Sequence, residues 1–372
     1  MALGPLSPSA LSFKPYAFMR IVVAMSGGVD SSVAAARLAE AGHDVIGLSM
    51  QLYDQREGSA NSFGRCCSLD DLHDARRVAS TIGIPHYVLN LERQFQETVV
   101  SNFVQEYAAG RTPIPCSHCN SDLKFATLVD RAAGFGADTV ATGHYARIEI
   151  DERGRRHLHR GLDPGKDQSY FLFALTQDQL ARAAFPVGHL SKESVRDYAR
   201  QRRLPVADKP DSQEICFVPD GDYATLVERH LDQAPAGGVI TNQRGEVLGR
   251  HDGVHRFTVG QRKGLRLSST EPLYVVAIRP DTATLVVGER EALDRVECEV
   301  GQVNWIAGRT PPGRLSADVQ IRHRHPAAAA TIVPLGDGRV RVTFDAPQRA
   351  ISPGQAAVFY SGDEVLGGGW IA

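Results

Sequence analysis

The sequence predicts an α/β protein: a doubly wound parallel sheet followed by two small β-rich domains, the last of them a β-barrel. Three observations carry that expectation. Between residues 20 and 142 short apolar runs alternate with helical patterns, as parallel strands joined by crossover helices do. A glycine pair sits where the first of those strands empties into a helix. From about residue 236 onward, Gly, Pro and short β-branched runs replace the helical periodicity.

Taken in order, the first eighteen residues are rich in Pro, Ser and Ala and precede a second methionine, Met19. They lack the apolar run and positive start of a signal peptide and read as a disordered extension, 1–18. Strands are expected at Arg20–Met25, Asp44–Met50, His86–Asn90 and Thr139–Thr142, with helices near 29–41, 68–82, 92–109 and 119–133. Gly42 suits the residue just past the first helix, and Ser68 with Asp71 has the spacing of a capping box. A helix with a basic face is expected over Lys192–Leu204. Strands then follow at Tyr274–Ile278, Thr284–Val287, Arg339–Phe344 and Ala356–Tyr360. The expected domains are 19–217, 218–290 and 291–372.

The chain has 372 residues, 42% of them apolar and 23% charged, which suffices for two or three domains with full cores. No stretch approaches the roughly 18 consecutive apolar residues of a membrane span, so a cytoplasmic protein is expected. A net charge of −2 argues against indiscriminate nucleic-acid binding. Basic residues nevertheless cluster, at Arg153, Arg155, Arg156 and Arg160, at Arg200, Arg202 and Arg203, at Arg262, Lys263 and Arg266, and at Arg322 and Arg324. Each alone is an ordinary solvated face; together they leave room for a tRNA-sized partner.

The glycine pair lies in Ala24-Met25-Ser26-Gly27-Gly28-Val29-Asp30-Ser31-Ser32. Gly27 and Gly28 let the backbone approach an anion, while Ser31 and Ser32 fall in the first helical turn, where N–H donors and the positive dipole end favour phosphate. The turn lacks the lysine of the G-x-x-x-x-G-K-[ST] loop and the third glycine of the dinucleotide turn. It resembles instead the PP-loop of enzymes that split ATP into AMP and pyrophosphate, which implies an adenine nucleotide alpha hydrolase-like first domain.

Of six cysteines, Cys116 and Cys119 form a C-x-x-C expected just before a helix, where the dipole favours thiolate. Cys216 follows Asp211-Ser212-Gln213-Glu214-Ile215, Cys66 and Cys67 are adjacent, and Cys298 reads as a small buried hydrophobe. One C-x-x-C suggests a redox pair or half a zinc site. A three-thiolate iron–sulfur cluster drawn from Cys116, Cys119, Cys216 or the Cys66–Cys67 pair is also compatible with the sequence. An adenylating turn together with activated cysteines points to sulfur transfer: ATP makes an oxygen into a leaving group, and cysteine-bound sulfur displaces it.

From Met19 to the C-terminus the chain resembles the tRNA-specific 2-thiouridylases. The matching segments, in order, are AMSGGVDSS, AGRTPIPCSHCNSDLKF, ATGHYAR, GLDPGKDQSYFL, FPVGHLSKESVR, KPDSQEICFVPD, TVGQRKGL, SPGQAAVFY and LGGGWI. The resemblance implies ATP-dependent, Mg²⁺-assisted activation of O2 of the wobble uridine in tRNAs for Lys, Glu and Gln. Sulfur then enters at C2, from a persulfide delivered by a donor protein. It assigns Ala24, Met25, Ser26, Gly27, Gly28, Val29, Asp30, Ser31, Met50 and Gly143 to ATP, Cys119 as nucleophile and Cys216 as persulfide carrier. Those two cysteines would form a transient disulfide. Ile114, Pro115 and Cys116 would border the target base, and His144, Lys166, Asp167, Gln168, Arg322, His323 and Gln355 would contact tRNA. Some family members carry Asn-Pro-Asp where this chain has Ile114, Pro115 and Cys116, which leaves Cys116 open as a resolving thiol or a metal ligand. Taken singly, His144 reads as a core or turn histidine, Lys166 to Gln168 as turn residues and Cys216 as a buried thiol.

Two rival functions fit part of the pattern. A PP-loop ligase adenylating a non-RNA acceptor needs neither Cys119 nor Cys216, and an iron–sulfur-dependent tRNA thiolase needs a cluster. A non-catalytic RNA-binding or iron–sulfur sensor protein has no use for an intact SGGVDSS turn.

Overall fold

Strand β1 (Arg20–Ala24) lies at the middle of a parallel sheet, with Val22 and Val23 wholly buried, as a strand covered on both faces must be. The computed structural model describes residues 18–53, 69–211, 215–218, 221–231, 233 and 236–372. β2 (Asp44–Gln51), β3 (His86–Asn90) and β4 (Thr139–Ala141) complete the core of the sheet. An antiparallel hairpin, β5 (Ala146–Ile150) and β6 (Arg156–Arg160), follows, and β7 (Ala183–Ala184) returns to the edge, giving the order 3-2-1-4-7.

Helices cover both faces. On one, α1 (Val29–Glu40) and α2 (Leu69–Ile82) pack with a later helix through small residues such as Ala34, Ala35, Ala75 and Ala199. The other face carries α3, the contiguous segments Glu92–Phe95, Gln96–Val100 and Ser101–Ala108, and α4, the segments Pro115–His118, Cys119–Phe125 and Ala126–Gly134. Then come α5 (Gln177–Ala181), α6 (Lys192–Gln201), which is the partner of α1 and α2, and α7 (Tyr223–His230).

Several expectations need correction here. The helices expected over 92–109 and 119–133 each contain a π-helical stretch, at Gln96–Val100 and Cys119–Phe125, a local widening common at functional sites. α4 also starts earlier than expected, because Pro115 at its first position is pre-set for helix. Cys116 and Cys119 therefore lie within the helix, not before it. Gly42 has φ +87° just past α1, as the sequence indicated. The capping box at Ser68, Cys66, Cys67 and residues 1–17 lie outside the described residues.

The middle sheet runs β8 (Gly238–Asn242), β9 (Val247–His251), β10 (Tyr274–Arg279) and β11 (Thr284–Gly288), in the order 10-11-8-9 around Ile240, Val275, Leu285 and Val287. The last six strands are β12 (Asp294–Trp305), β13 (Leu315–Gln320), β14 (Ala328–Gly336), β15 (Arg339–Arg349), β16 (Ala356–Ser361) and β17 (Glu364–Ile371). They close into a barrel when β12 pairs with β17, as in Val300 with Ile371.

The β5–β6 hairpin was not foreseen. It extends the barrel sheet, Leu158 of β6 pairing with Val365 of β17. Its signal is faint because only Leu158 of Arg156-His157-Leu158-His159-Arg160 is fully buried, so period-two alternation lasts one residue.

Candidate active site

The turn after β1 is shaped by its surroundings as much as by its glycines. Gly27 has φ +76°, and a Cβ there would lie 2.2 Å from the Asp71 carbonyl oxygen of α2. Gly143, after β4, presses on the start of α1 from the other side, where a Cβ would meet Ser31 N at 2.5 Å. Ser31 Oγ accepts from the Ser26 amide at 3.2 Å, and Ser32 Oγ donates to Gly28 O at 2.8 Å. Those hydroxyls therefore hold the turn closed. The amides of Val29, Asp30 and Ser31 lie in the first helical turn, where no intrahelical acceptor exists, and so face a prospective anion.

Cations ring this turn. Lys192 Nζ lies 2.8 Å from both oxygens of Asp30 and 2.8 Å from Asp211 Oδ1, and Tyr145 OH donates to Asp30 at 2.7 Å. Lys209 Nζ donates to Gly27 O at 3.1 Å and to Asp71 and Asp74 at 2.6 Å. Asp30 is thereby neutralised beside a turn whose geometry suits negative charge.

Met50 and Cys119 are buried in one apolar cluster on the α3–α4 face, and Ile215, Cys216 and Phe217 pack against the same cluster. Phe217 sets its ring edge-on to Phe95 and Phe103, at 5.4 and 5.1 Å, which seats the Cys216 segment. Cys116 is exposed, Cys119 buried and Cys216 half-buried, each a thiol.

The segment 110–118, a loop as far as Ile114 and then the first turn of α4, is walled by both β-rich parts. A Cβ on Gly110 would lie 2.7 Å from Ile278 of β10, and Thr112 Oγ1 donates to Thr258 Oγ1 at 3.3 Å. Thr112 N donates to Pro353 O at 2.8 Å, Gln355 Nε2 donates to Thr112 O at 2.9 Å, and His118 stacks on Trp370 of β17 at 4.3 Å and 10°.

Family models match the chain in three parts: a tRNA methyl transferase HUP domain over residues 19–220, a tRNA methyl transferase PRC-barrel domain over 224–289 and an aminomethyltransferase beta-barrel domain over 295–371. The tRNA-specific 2-thiouridylase MnmA of Geotalea uraniireducens is 52% identical over 95% of this chain and 94% of its own length. That of Solibacter usitatus is 54% identical over 94% of this chain and 98% of its own. The chain belongs to the tRNA-specific 2-thiouridylase family. The models' descriptions speak of methyl transfer, but identity to 2-thiouridylases at every second position over nearly the whole chain outweighs a domain label. Among solved structures, a 4-thiouridine synthetase bound to RNA and ATP shares 13% identity at a TM-score of 0.34, covering 54% of this chain and 45% of that one, too distant to carry any argument.

The residues that the 2-thiouridylase resemblance assigned to RNA fall into two groups. Lys166, Asp167 and Gln168 are all partly exposed, and Lys166 Nζ lies 2.7 Å from Asp211. Asp167 is committed inward, accepting from Arg160, from the Gly161 and Ser169 amides and from Ser169 Oγ at 2.9 to 3.1 Å. Gln168 Oε1 accepts from the Tyr145 amide at 3.0 Å. Ile114 and Pro115 are buried, Ile114 in the cluster around Phe125 and Tyr170, so of the three residues expected at the base only Cys116 is exposed. His144 bonds Thr142 Oγ1 at 2.8 Å between Phe125 and Phe185, and burial pushes its pKa well down. His323 packs its ring against Phe171 at 4.6 Å. Arg322 lines a cavity of about 480 Å³ between the two β-rich parts with Arg290, Arg349 and Tyr274, and no residue of the glycine turn lines it.

Sequence reasoning missed Lys192, Lys209, Asp211 and Tyr145. Their signal was available inside SKESVR, KPDSQ and GHYAR, where they passed as parts of a family signature. Among the described residues no group of three His, Cys, Asp or Glu side chains is placed to hold a metal ion. Likewise no described helix is long and apolar enough to cross a membrane.

Asp211 gives a pH prediction. Burial raises its pKa, but hydrogen bonds from Lys166 and Lys192 outweigh that and bring it to about 2. Its folded value lies below the ordinary 3.8, so its contribution to stability is complete above that pH and disappears as pH falls through about 2. The melting temperature of wild type should exceed that of Asp211→Asn at pH 5, and the gap should close toward pH 2. A gap that stays constant across that range contradicts the assignment.

Proposed function

We propose that this chain is a tRNA-uridine 2-sulfurtransferase that thiolates the wobble uridine of tRNAs for Lys, Glu and Gln at the expense of ATP. The observation that supports this most directly is the common apolar cluster of Met50, Cys119 and Cys216 on the sheet whose central strand leads into the glycine turn. In this reading a base activated over that turn receives sulfur carried on the neighbouring Cys216 segment.

In this reading ATP enters as its magnesium complex, with its phosphates against the amides of residues 27–31. O2 of the uridine attacks the α-phosphorus and pyrophosphate leaves, its charge met by first-turn N–H groups. A donor protein has by then placed an outer sulfur on Cys216. The Cys119 thiolate attacks the inner sulfur, Sγ of Cys216, forming a Cys119–Cys216 disulfide and releasing hydrosulfide. Hydrosulfide adds at C2 and expels AMP, and an external dithiol reopens the disulfide. In the alternative order the outer sulfur attacks C2 first and Cys119 then frees the thiolated base from Cys216. The target base must leave the anticodon stack in either case.

The test is to incubate the protein with unmodified tRNA-Glu transcript, Mg-ATP and a persulfide donor. Nucleosides are then followed by mass spectrometry and nucleotides by chromatography. One AMP per 2-thiouridine is expected. Formation of ADP, or AMP release without any thionucleoside, sinks the proposal.

A further inference from the structure

The peptide between Gly27 and Gly28 is held from one side. Within the turn, the Ser26 amide is fixed by Ser31 Oγ, and the Gly28 carbonyl by the hydroxyls of Ser31 and Ser32 at 3.2 and 2.8 Å. The Gly27 carbonyl instead receives Lys209 Nζ, 182 positions away in sequence, at 3.1 Å. That ammonium is fixed in turn by Asp71 and Asp74 of α2, at 2.6 Å each, and the Lys209 backbone by Val206 O and Arg196. Burial opposes its charge, but the hydrogen bonds to the two carboxylates outweigh burial and hold its pKa above the ordinary lysine value.

A trans peptide points its N–H opposite to its C=O. With the Gly27 carbonyl directed at Lys209 and α2, the Gly28 N–H is directed away from them, and among the described residues nothing in the chain accepts it. It thus joins the amides of Val29, Asp30 and Ser31 as a donor for phosphate. A glycine–glycine peptide keeps such an orientation only weakly. Turning it over changes Gly28 from φ −90° to about +90°, which glycine tolerates, and puts a carbonyl oxygen where a phosphate oxygen must sit. An ammonium on the carbonyl opposes that turn and polarises the peptide, which strengthens the opposite N–H as a donor.

We propose that Lys209 is a positioning residue for the nucleotide turn: its ammonium holds the Gly27–Gly28 peptide with the carbonyl toward α2 and the N–H toward the phosphates of ATP. The inference rests on the functional reading above. Lys209 acts through the peptide and does not itself touch the nucleotide.

Lys209→Met keeps the length of the stem and removes the ammonium. Calorimetry with ATP and with adenosine, which has the base and ribose but no phosphate, separates a phosphate effect from a deformed site. ATP should bind Lys209→Met about tenfold or more weakly, with adenosine within about twofold of wild type. The deciding variant adds Gly28→Ala, because alanine resists the positive φ of the turned peptide. Gly28→Ala should recover about threefold or more of ATP affinity in the Lys209→Met background and give no gain in wild type. Equal losses for ATP and adenosine, undiminished ATP binding, or a loss that Gly28→Ala leaves unrecovered each overturns the proposal. The last of these places Lys209 on the phosphate itself. If Lys209→Met does not fold, adding Asp71→Asn and Asp74→Asn leaves neither carboxylate unpaired, and the same comparisons decide. A wild type that binds no ATP refutes the functional reading and this inference with it, whereas every other failure leaves that reading standing.

Discussion

Replacing Cys119 by Ser is expected to lower persulfide-driven thiolation about a thousandfold or more, because a hydroxyl near neutral pH supplies almost none of the anion that must attack a sulfur–sulfur bond. The substitution also places a hydroxyl in the apolar cluster around Leu123 and Phe95, at a cost of about 1 to 3 kcal/mol if the group finds no partner. Melting temperature must therefore be measured beside activity, with Cys119→Ala as the companion. The informative quantity is pyrophosphate released in the first turnover. If Cys119 serves only sulfur transfer, that burst survives in both variants while 2-thiouridine is lost. Loss of the burst in a variant that still melts as wild type assigns Cys119 to shaping the nucleotide site, and undiminished thiolation removes it from the chemistry.

Gly27→Ala should be nearly as damaging, by another route. The residue occupies positive φ, which costs an alanine about 1 kcal/mol, and its Cβ would stand 2.2 Å from a backbone oxygen of α2. Backbone cannot swing aside as a flexible side chain can, so either α2 shifts or the turn flattens. ATP affinity by calorimetry should weaken about a hundredfold, roughly 2.7 kcal/mol, with a melting temperature lower by several degrees. Gly28→Ala is the control. Gly28 has φ −90°, and the nearest atom to its Cβ would be Ser26 Oγ at 3.5 Å, so its effect should be small. Equal ATP affinity in Gly27→Ala and wild type contradicts phosphate binding at the turn.

How legible the molecule was from its sequence differs from part to part. The β1–turn–α1 unit was readable because its causes are local: an apolar strand, a glycine forced to positive φ and serines in the first helical turn. The closing barrel was readable from alternating strands, Val340, Val342 and Phe344 facing inward from β15. The β5–β6 hairpin escaped because a barrel strand that follows it by some two hundred positions completes it. The Lys192–Asp30 pair escaped for the same reason, since charges so far apart in sequence carry no mark of their partner. The C-x-x-C was visible, but its place inside a π-widened helix was not, because that depends on packing against α3. The common cluster of Cys119 and Cys216 is likewise a product of three helices meeting, and only the family resemblance had joined the two cysteines beforehand.

The seat of the 110–118 segment, built by both β-rich parts, also bears on the order in which the molecule is completed during synthesis. Every side chain that shapes the glycine turn, from Ser26 to Asp211, leaves the ribosome before the first strand of either β-rich part. The stack of His118 on Trp370, by contrast, waits for β17, the final strand to emerge. The residues proposed to hold a nucleotide are therefore all synthesised early, whereas the seat of the segment that leads into Cys119 is completed only when the last strand has emerged.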